Sequence, residues 1–352
     1  MSRGHRVETL FRNKLSTGKW HLPGKCSGTG KQSGAGYLSK HREQDSLRFS
    51  APNSTYKLAD NSINAHNVEY IHVADARLYP FEKNLTIGEK ANMHRLEKAE
   101  IITDTSKKYH KFFNAEIKIK GRKNYTGEGD YNYVDKNDKK QIIHFNTIKI
   151  DTSIHTWAEG KITEPDSFTL SPQFGFKGDV FLKSQRKHLE YKGGVKTFYD
   201  CPILPNRYAY FESVIYPDSI YIPVGKQNKD INGKNIYVGP YITIDSTHIY
   251  PTLLSPRIDA SDEAIVNSHG YLHYNENDGK FKIASKAKLD DNDTIGSLIS
   301  LQKDACRYHA EGKMFLGVDY GKFKMNPVGT INQRLEKNEI KRIIEKHLSP
   351  IN

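Results

Sequence analysis

The sequence is poor in cysteine and has no long apolar run. Its 352 residues include three cysteines, Cys26, Cys201 and Cys306, which lie too far apart for a Cys-x-x-Cys pair or a dense disulfide framework. We favour three isolated thiols, and a single Cys201–Cys306 bridge stays open as the alternative. No stretch approaches the about 18–20 apolar residues of a membrane-spanning helix, and the N-terminus lacks the apolar segment of an export signal.

Sequence motifs of catalysis are also missing. The chain contains no Gly-x-Ser-x-Gly, no His-Glu-x-x-His and no kinase motif set. A glycine-rich stretch, 24–36, resembles a phosphate-binding loop, but Lys31 is followed by Gln32 instead of Ser or Thr, and no strand pattern precedes it. We therefore predict that the protein is not an enzyme, and we assign no catalytic residue, no cofactor and no metal site.

Positive charge is concentrated at the N-terminus. The formal net charge is +12, and residues 1–48 hold ten lysines and arginines against three acids, which is +7 of that total. This segment is rich in glycine and serine and has neither helical nor strand periodicity, which predicts a disordered basic tail. Such a tail binds nucleic acid through counterion release, so nucleic-acid binding is one alternative function, although no specific nucleic acid is expected.

Short alternating segments follow the tail and indicate an all-β fold. In 115–120, alanine and isoleucine alternate with glutamate and lysine, as on a half-buried strand. Asp278-Gly279 lies between two such segments and predicts a hairpin. The segment 96–102 fits either a strand or a helical turn. A small residue precedes several strands, which suits a loose internal repeat without a strict period.

The C-terminal segment has a different pattern. In Gln333–Leu348, isoleucine and leucine recur at helical spacing, which predicts a short amphipathic helix. The predicted domains are therefore a disordered tail over 1–48, a β-repeat body over 49–332 and a C-terminal helix over 333–352.

Two groups of polar residues have the chemistry of a metal site. His269 and His273 are four residues apart, but on a strand this spacing separates them by about 13 Å, too far to share a zinc ion. Asp290–Asp293 offers oxygen ligands for calcium, but it lacks the glycine and the distal glutamate of an EF-hand loop, so we favour a solvated turn.

Other residue patterns suit sugar or nucleotide chemistry. Glu159 and Glu164 are a candidate glycosidase pair, although nothing separates them from other surface acids. Gly127-Glu-Gly129 is interpreted as a β-bulge in preference to a nucleotide-binding turn. Many tyrosines lie two residues apart, as in Tyr131/Tyr133 and Tyr208/Tyr210, and such rows bind sugars or acyl chains, although tyrosine also favours half-exposed strands. A carbohydrate-binding or carbohydrate-active β-sandwich is therefore a further alternative function.

Eight segments together resemble a known family. Those segments are Val68–Pro80, Ala99–Ile102, Lys108–His110, Asn114–Ile117, Gly121–Tyr131, Gln141–Phe145, Phe168–Pro172 and Tyr221–Val224. They resemble the large, uncharacterised β-repeat proteins of Gram-negative cell envelopes, whose repeats are similar to the β-jellyroll of lipopolysaccharide-transport and organic-solvent-tolerance proteins. The resemblance covers residues 41–331, and Val73–Pro80 and Gly121–Tyr131 are its most specific parts.

The resemblance implies a stacked β-jellyroll or solenoid-like repeat in the cell envelope, in the periplasm or outer membrane. It implies a non-enzymatic scaffold that contacts envelope glycolipid, or another β-repeat protein by strand addition. A glycolipid groove would be lined by Ile117, Ile119, Phe174, Phe176 and Val180. Because the family-like sequence starts and stops abruptly, we also predict a fragment of a longer protein, with exposed sheet ends that favour self-association.

Overall fold

Antiparallel β-strands make up most of the protein, so the predicted all-β fold is confirmed. The structure, a computed structural model, describes residues 20–21, 35–245, 247–290, 295–315, 327–337 and 339–345. The strands of the N-terminal half are β1 Trp20–His21, β2 Ala35–Ser39, β3 Arg48–Ala51, β4 Asn53–Lys57, β5 Ser62–His66, β6 Ile71–Val73, β7 Ala76–Tyr79, β8 Leu85–Ile87, β9 Leu96–Thr103, β10 His110–Gly121, β11 Asn124–Val134, β12 Lys140–Ile150, β13 Thr156–Ile162, β14 Thr169–Ser171 and β15 Phe174–Lys183.

Shorter strands dominate the C-terminal half. They are β16 Glu190–Thr197, β17 Ala209–Val214, β18 Ile222–Val224, β19 Asn228–Lys229, β20 Asn235–Ile242, β21 Ile249–Ser255, β22 Glu263–Ala264, β23 Gly270–Asn275, β24 Lys280–Ala284, β25 Leu298–Gln302, β26 Arg307–Lys313, β27 Val328–Arg334 and β28 Glu339–Glu345. Within the described ranges the only α-helix, α1, is the four-residue turn Lys286–Leu289. Single 3₁₀ turns occur at Arg42–Gln44, Phe81–Lys83, Glu89–Ala91, Glu164–Asp166 and Leu335–Lys337.

The strands form five sheets within the described residues. The largest has the order β17-β16-β15-β13-β12-β11-β10-β9-β7-β6, with β14 beside β15. A seven-stranded sheet has the order β18-β23-β24-β25-β26-β27-β28. A four-stranded sheet joins β19, β20, β21 and β22, and two three-stranded sheets are β1-β2-β3 and β4-β5-β8. The strand pairings of the described residues are antiparallel, as expected for strands joined by short turns.

Alternation of side chains along the strands accounts for the core. On β10, Ala115, Ile117 and Ile119 are buried, while Lys118 and Lys120 between and beyond them are exposed. The segment 96–102, open between strand and helix, lies in β9. The predicted Asp278-Gly279 hairpin is confirmed, since β23 and β24 pair up to Asn275 and Lys280.

The chain divides into two compact units. Unit 1 comprises residues 1–133, 140–161 and 180–189. Its core includes Phe112 and Phe145, whose rings meet edge to face at 5.5 Å. Unit 2 comprises residues 134–139, 162–179 and 190–352. Its core includes Phe174 edge to face against Phe281 at 5.6 Å, and it holds a disulfide between Cys201 and Cys306.

The predicted disordered tail ends too late. Residues 35–48 include β2 and the start of β3, and β2 pairs with β3. Tyr37 is buried and its ring stacks on Phe49 at 4.8 Å, while Leu47 is fully buried. Burial of Tyr37 and Leu47 therefore places this stretch in the core, despite its glycine and basic residues. Apart from β1, residues 1–34 lie outside the described residues. This range includes residues 24–34 of the glycine-rich stretch.

The predicted C-terminal helix is wrong for the described residues. Most of 333–345 forms the end of β27 and the whole of β28, which pair in register from Val328↔Glu345 to Arg334↔Glu339. Isoleucine is β-branched and favours strands. The edge of β27 is available to pair with this segment, and the resulting ladder is a contact that no local pattern encodes. The spacing of the isoleucines predicted a helix, but over a segment of only seven residues the same spacing is also compatible with a strand.

No helix in the described part of the chain is both long and apolar enough to cross a membrane.

Candidate functional site

Those candidate metal residues that the structure describes are not grouped around a common metal position. His269 precedes β23 and His273 lies within it, as the strand interpretation expects. His273 Nδ1 is 2.9 Å from the carbonyl oxygen of Ile220, and its ring stacks on Tyr221 at 4.4 Å. Of Asp290–Asp293, only Asp290 is described, and it accepts a hydrogen bond from the Tyr221 hydroxyl. Within the described ranges, no three His, Cys, Asp or Glu side chains are grouped to hold a metal ion.

The two candidate acids and the glycine pair lie in different structural settings, and Glu159 is on β13 opposite Thr147 of β12. Glu164 accepts a hydrogen bond from Lys177 at 2.9 Å, and this contact lowers the Glu164 pKa, whereas a glycosidase acid needs a raised pKa. A β-bulge does occur in this strand pair, but its extra residue lies on the facing strand β10, between Phe113 and Glu116, and not within Gly127-Glu-Gly129. A Cβ on Gly127 would lie 2.3 Å from the Glu116 carbonyl oxygen, so the close approach requires glycine there.

The residues predicted to line a glycolipid groove are instead core residues. Ile117, Ile119, Phe174, Phe176 and Val180 are all 5% exposed or less. Phe176 meets Tyr191 edge to face with ring centres 5.0 Å apart. Sequence alternation marked these positions as apolar, but it does not distinguish a groove lining from a packed interior. The predicted groove is therefore wrong at these positions.

A buried polar cluster in unit 1 has triad-like residues without triad geometry. Asp75 accepts hydrogen bonds from the Thr156 amide at 3.0 Å and from Ser184 Oγ at 2.5 Å. His155 Nδ1 lies 3.7 Å from the same carboxylate. A nucleophilic serine needs histidine as its hydrogen-bond acceptor, and here it donates to aspartate instead. Ser184 is also fully buried, so the cluster joins strands and does not carry out acyl transfer.

A largely apolar cleft with a volume of about 270 Å³ lies in unit 2. The lining comes from the loop at 203–205, from β21 and the loop after it, and from the β27–β28 hairpin. The lining residues are Ile203, Leu204, Pro205, His248, Ile249, Tyr250, Pro251, Pro256, Ile258, Gln333, Arg334, Leu335, Glu339 and Ile340. We call this surface the unit 2 cleft.

The disulfide braces two walls of the unit 2 cleft. Cys201 accepts a hydrogen bond from the Leu204 amide at 3.1 Å, which closes the turn carrying Ile203 and Leu204. On the other half of the bridge, Cys306 accepts from the Leu335 amide at 3.1 Å. The bridge therefore joins the Ile203–Leu204 wall to Cys306, and the Cys306 carbonyl oxygen in turn holds Leu335 by a hydrogen bond. The favoured interpretation of three isolated thiols is wrong for these two cysteines, and Cys26 lies outside the described residues.

A tyrosine–aspartate pair stabilises one side of the cleft. The Tyr250 hydroxyl donates to Asp262 and accepts from the Ile258 amide at 3.1 Å. Burial, together with the neighbouring carboxylate, raises the pKa of Tyr250 to about 12. The same hydrogen bond lowers the pKa of Asp262. Both groups therefore keep their ordinary charge at neutral pH, and neither is prepared to transfer a proton there.

The cleft contains one buried acceptor that lacks a partner. Gln333 is 4% exposed, and its Nε2 donates to the Ile249 carbonyl oxygen at 3.2 Å. Its Oε1 has no hydrogen-bond partner among the described residues. A buried carbonyl oxygen without a donor costs about 1–3 kcal/mol, so a bound group with an N–H or O–H would relieve this cost.

The rim of the cleft is polar and lies at a sheet edge. Arg334 and Glu339 form an exposed ion pair at 3.7 Å. Glu339 and Ile340 belong to β28, which is the terminal strand of the seven-stranded sheet and pairs with β27 alone among the described strands. An edge strand presents unpaired backbone N–H and C=O groups. The cleft and a free strand edge are thus parts of one surface.

Sequence reasoning missed the unit 2 cleft. Its residues come from segments as distant as Ile203 and Ile340, and none belongs to a motif. The available signals were a cluster of prolines at Pro251 and Pro256 and the open alternative of a Cys201–Cys306 bridge. Comparison with known proteins adds no assignment, since no family model, curated protein or solved structure matches this chain.

Proposed function

We propose that the protein is a non-enzymatic β-scaffold of the cell envelope that binds an extended segment of a partner protein. The single observation that carries the proposal is the disulfide-braced unit 2 cleft beside the free edge of β28. In this proposal the partner adds a strand to β28 and inserts an apolar side chain between Ile203 and Ile340. Strand addition supplies affinity through the main chain, and a pocket beside the edge supplies selectivity.

The disulfide supports an oxidising compartment. Structural disulfides persist in secreted, periplasmic and cell-surface proteins, while cytosolic thiols are kept reduced. Cys201 and Cys306 are buried, and a bridge between buried residues is shielded from thiol exchange. A thiol count on denatured protein isolated from its own cells tests this point. One reactive thiol supports the envelope proposal, and three reactive thiols contradict it.

The size and polarity of the cleft favour a protein segment over a glycolipid. Its volume of about 270 Å³ is below the about 300–1,000 Å³ of sites that enclose a drug-sized ligand. An acyl chain has no donor for the Gln333 Oε1, whereas a peptide has an amide at every residue except proline. The exposed Arg334–Glu339 pair suits the polar rim of a protein interface.

A peptide selection tests the proposal. A displayed library of random seven-residue peptides is selected on the disulfide-bonded protein, and the enriched peptides are measured as synthetic ligands. We expect a central bulky apolar residue in those peptides. Ile203→Asp should weaken their binding at least tenfold, or about 1.4 kcal/mol, because it places a charge in the apolar wall.

Matched controls separate the possible outcomes. Ile203 is 59% exposed and Ile244 is 73% exposed. Ile244 does not line the cleft, so Ile244→Asp should leave peptide binding unchanged. Methylation of alternate backbone amides of the peptide should abolish binding if a strand is added. Equal losses in both aspartate variants contradict the proposal. Retention of an acyl chain that only Ile203→Asp removes, seen by native mass spectrometry, identifies a glycolipid ligand instead.

A further inference from the structure

The β6–β7 hairpin of unit 1 presents a cationic face to solvent. Ile71, Val73 and Leu78 point into the core and are fully buried. Because strand residues alternate, His72 and Arg77 lie on the opposite face, and they are directly paired across the hairpin.

Two further arginines, from other segments of the chain, lie near the same hairpin. Arg122 lies in the β10–β11 turn, and its carbonyl oxygen accepts from the Ala74 amide at the tip of the hairpin at 2.8 Å. Arg48 begins β3, and both Arg48 and Arg122 are exposed. All three arginines lie close enough to His72 to lower its pKa by repulsion, although burial is the larger cause of that shift.

The positive charge of this face is only partly balanced by neighbouring acids. No ion pair of Arg48, Arg77 or Arg122 occurs within the described residues. Asp75 is the acid that offsets part of this charge at His72, but its carboxylate is held by the hydrogen bonds of its own cluster and its side chain is 10% exposed. Asp45 is 3.4 Å from Lys123, which neutralises it. Charges held together without counter-charges destabilise the fold unless an anion binds between them.

Arg77 is held ready for an anion. Its guanidinium carbon lies 4.9 Å from the ring centre of Tyr70, so an aromatic ring restricts its motion. Its Nε is buried without a hydrogen-bond partner among the described residues, which leaves the two terminal nitrogens as the donors toward solvent. A guanidinium fixed beside a ring keeps its N–H fork available for two oxygens of one group.

We propose that Arg48, Arg77 and Arg122 bind a phosphate monoester on this face of the β6–β7 hairpin. A monoester carries about −1.5 to −2 charges near pH 7 and three acceptor oxygens, which match several arginines better than a carboxylate does. We call the cluster of Arg48, Arg77 and Arg122 the arginine-site. It shares no residue with the unit 2 cleft, so an experiment that contradicts one proposal does not contradict the other.

Calorimetric titration with phenyl phosphate at constant ionic strength tests the arginine-site in the full chain. We expect saturable binding of one equivalent. Arg77→Gln and Arg122→Gln should each weaken it about tenfold, while Lys107→Gln, an exposed cation beside Tyr109 in the same unit, should leave it unchanged. The His72 ring signals in NMR spectra supply a second readout, and phenyl phosphate should raise the His72 pKa by about one.

A second arm of the experiment identifies the source of the phosphate. Vesicles containing phosphatidic acid present the same monoester on a lipid, and phosphatidylcholine vesicles are their control. Binding to phenyl phosphate and not to vesicles assigns a soluble ligand, and binding to phosphatidic acid that depends on Arg77 assigns a lipid headgroup. Absence of both interactions overturns the proposal. Equal losses in Lys107→Gln and Arg77→Gln also overturn it, because the attraction is then general.

Discussion

Removal of the Cys201–Cys306 disulfide should substantially lower the free energy of unfolding of unit 2. The two residues are 105 positions apart, and their Cα atoms are 5.0 Å apart. That Cα distance lies within the ordinary range for disulfides. Closing a loop of about 100 residues restricts the unfolded chain by about 4.7 kcal/mol, and losing a native bridge costs about 2–5 kcal/mol in small domains. We expect a loss in that range for the Cys201→Ala/Cys306→Ala variant.

Urea unfolding followed by far-ultraviolet circular dichroism measures the effect. The slope of free energy against urea should increase in the variant, because the unfolded chain without its cross-link exposes more surface. Dithiothreitol should lower the stability of the wild-type protein to that of the variant, and it should not change the variant. A loss below about 1 kcal/mol with an unchanged slope, in protein shown to contain one free thiol, would refute this reasoning.

Three other predictions concern the cores of the two units and use the same unfolding assay. Asp75→Ala should destabilise unit 1 by about 2 kcal/mol or more, because it leaves buried donors without an acceptor, and a loss near zero would contradict the role of that cluster. Gly193→Ala should cost unit 2 about 2–4 kcal/mol, since its Cβ would lie 2.3 Å from the Lys177 carbonyl oxygen. Gly233→Ala is its control, with no atom within 4 Å of the added Cβ, and should cost about 1 kcal/mol for its positive φ. Burial lowers the pKa of His110 below its ordinary 6.5. As the pH falls, the unfolded chain therefore binds this proton at a higher pH than the folded protein does. Unit 1 should lose stability as the pH falls below about 6.5. His110→Gln should flatten that pH dependence, and an unchanged profile would show that other groups cause it.

The strand pattern was predictable because it is local. Alternation in 115–120 and the Asp278-Gly279 turn both depend on neighbouring residues, and the structure has β10 and the β23–β24 hairpin at those places. Local pattern was insufficient where an element depends on a distant partner. The helical spacing after Gln333 was outweighed by pairing with β27, and the basic segment before Phe49 was placed in the core by Tyr37 and Leu47.

The two proposed binding surfaces were not predictable from the sequence. The unit 2 cleft includes both Ile203 and Ile340, and the arginine-site includes both Arg48 and Arg122. In both cases, the strands between the two residues carry no shared motif. Composition, alternation and turns by themselves determined an all-β protein with many short antiparallel strands. Only the tertiary structure decided which cysteines pair, which apolar faces are packed and which arginines meet, because these depend on the order of strands in the sheets, and that order is set by contacts between residues far apart in the chain.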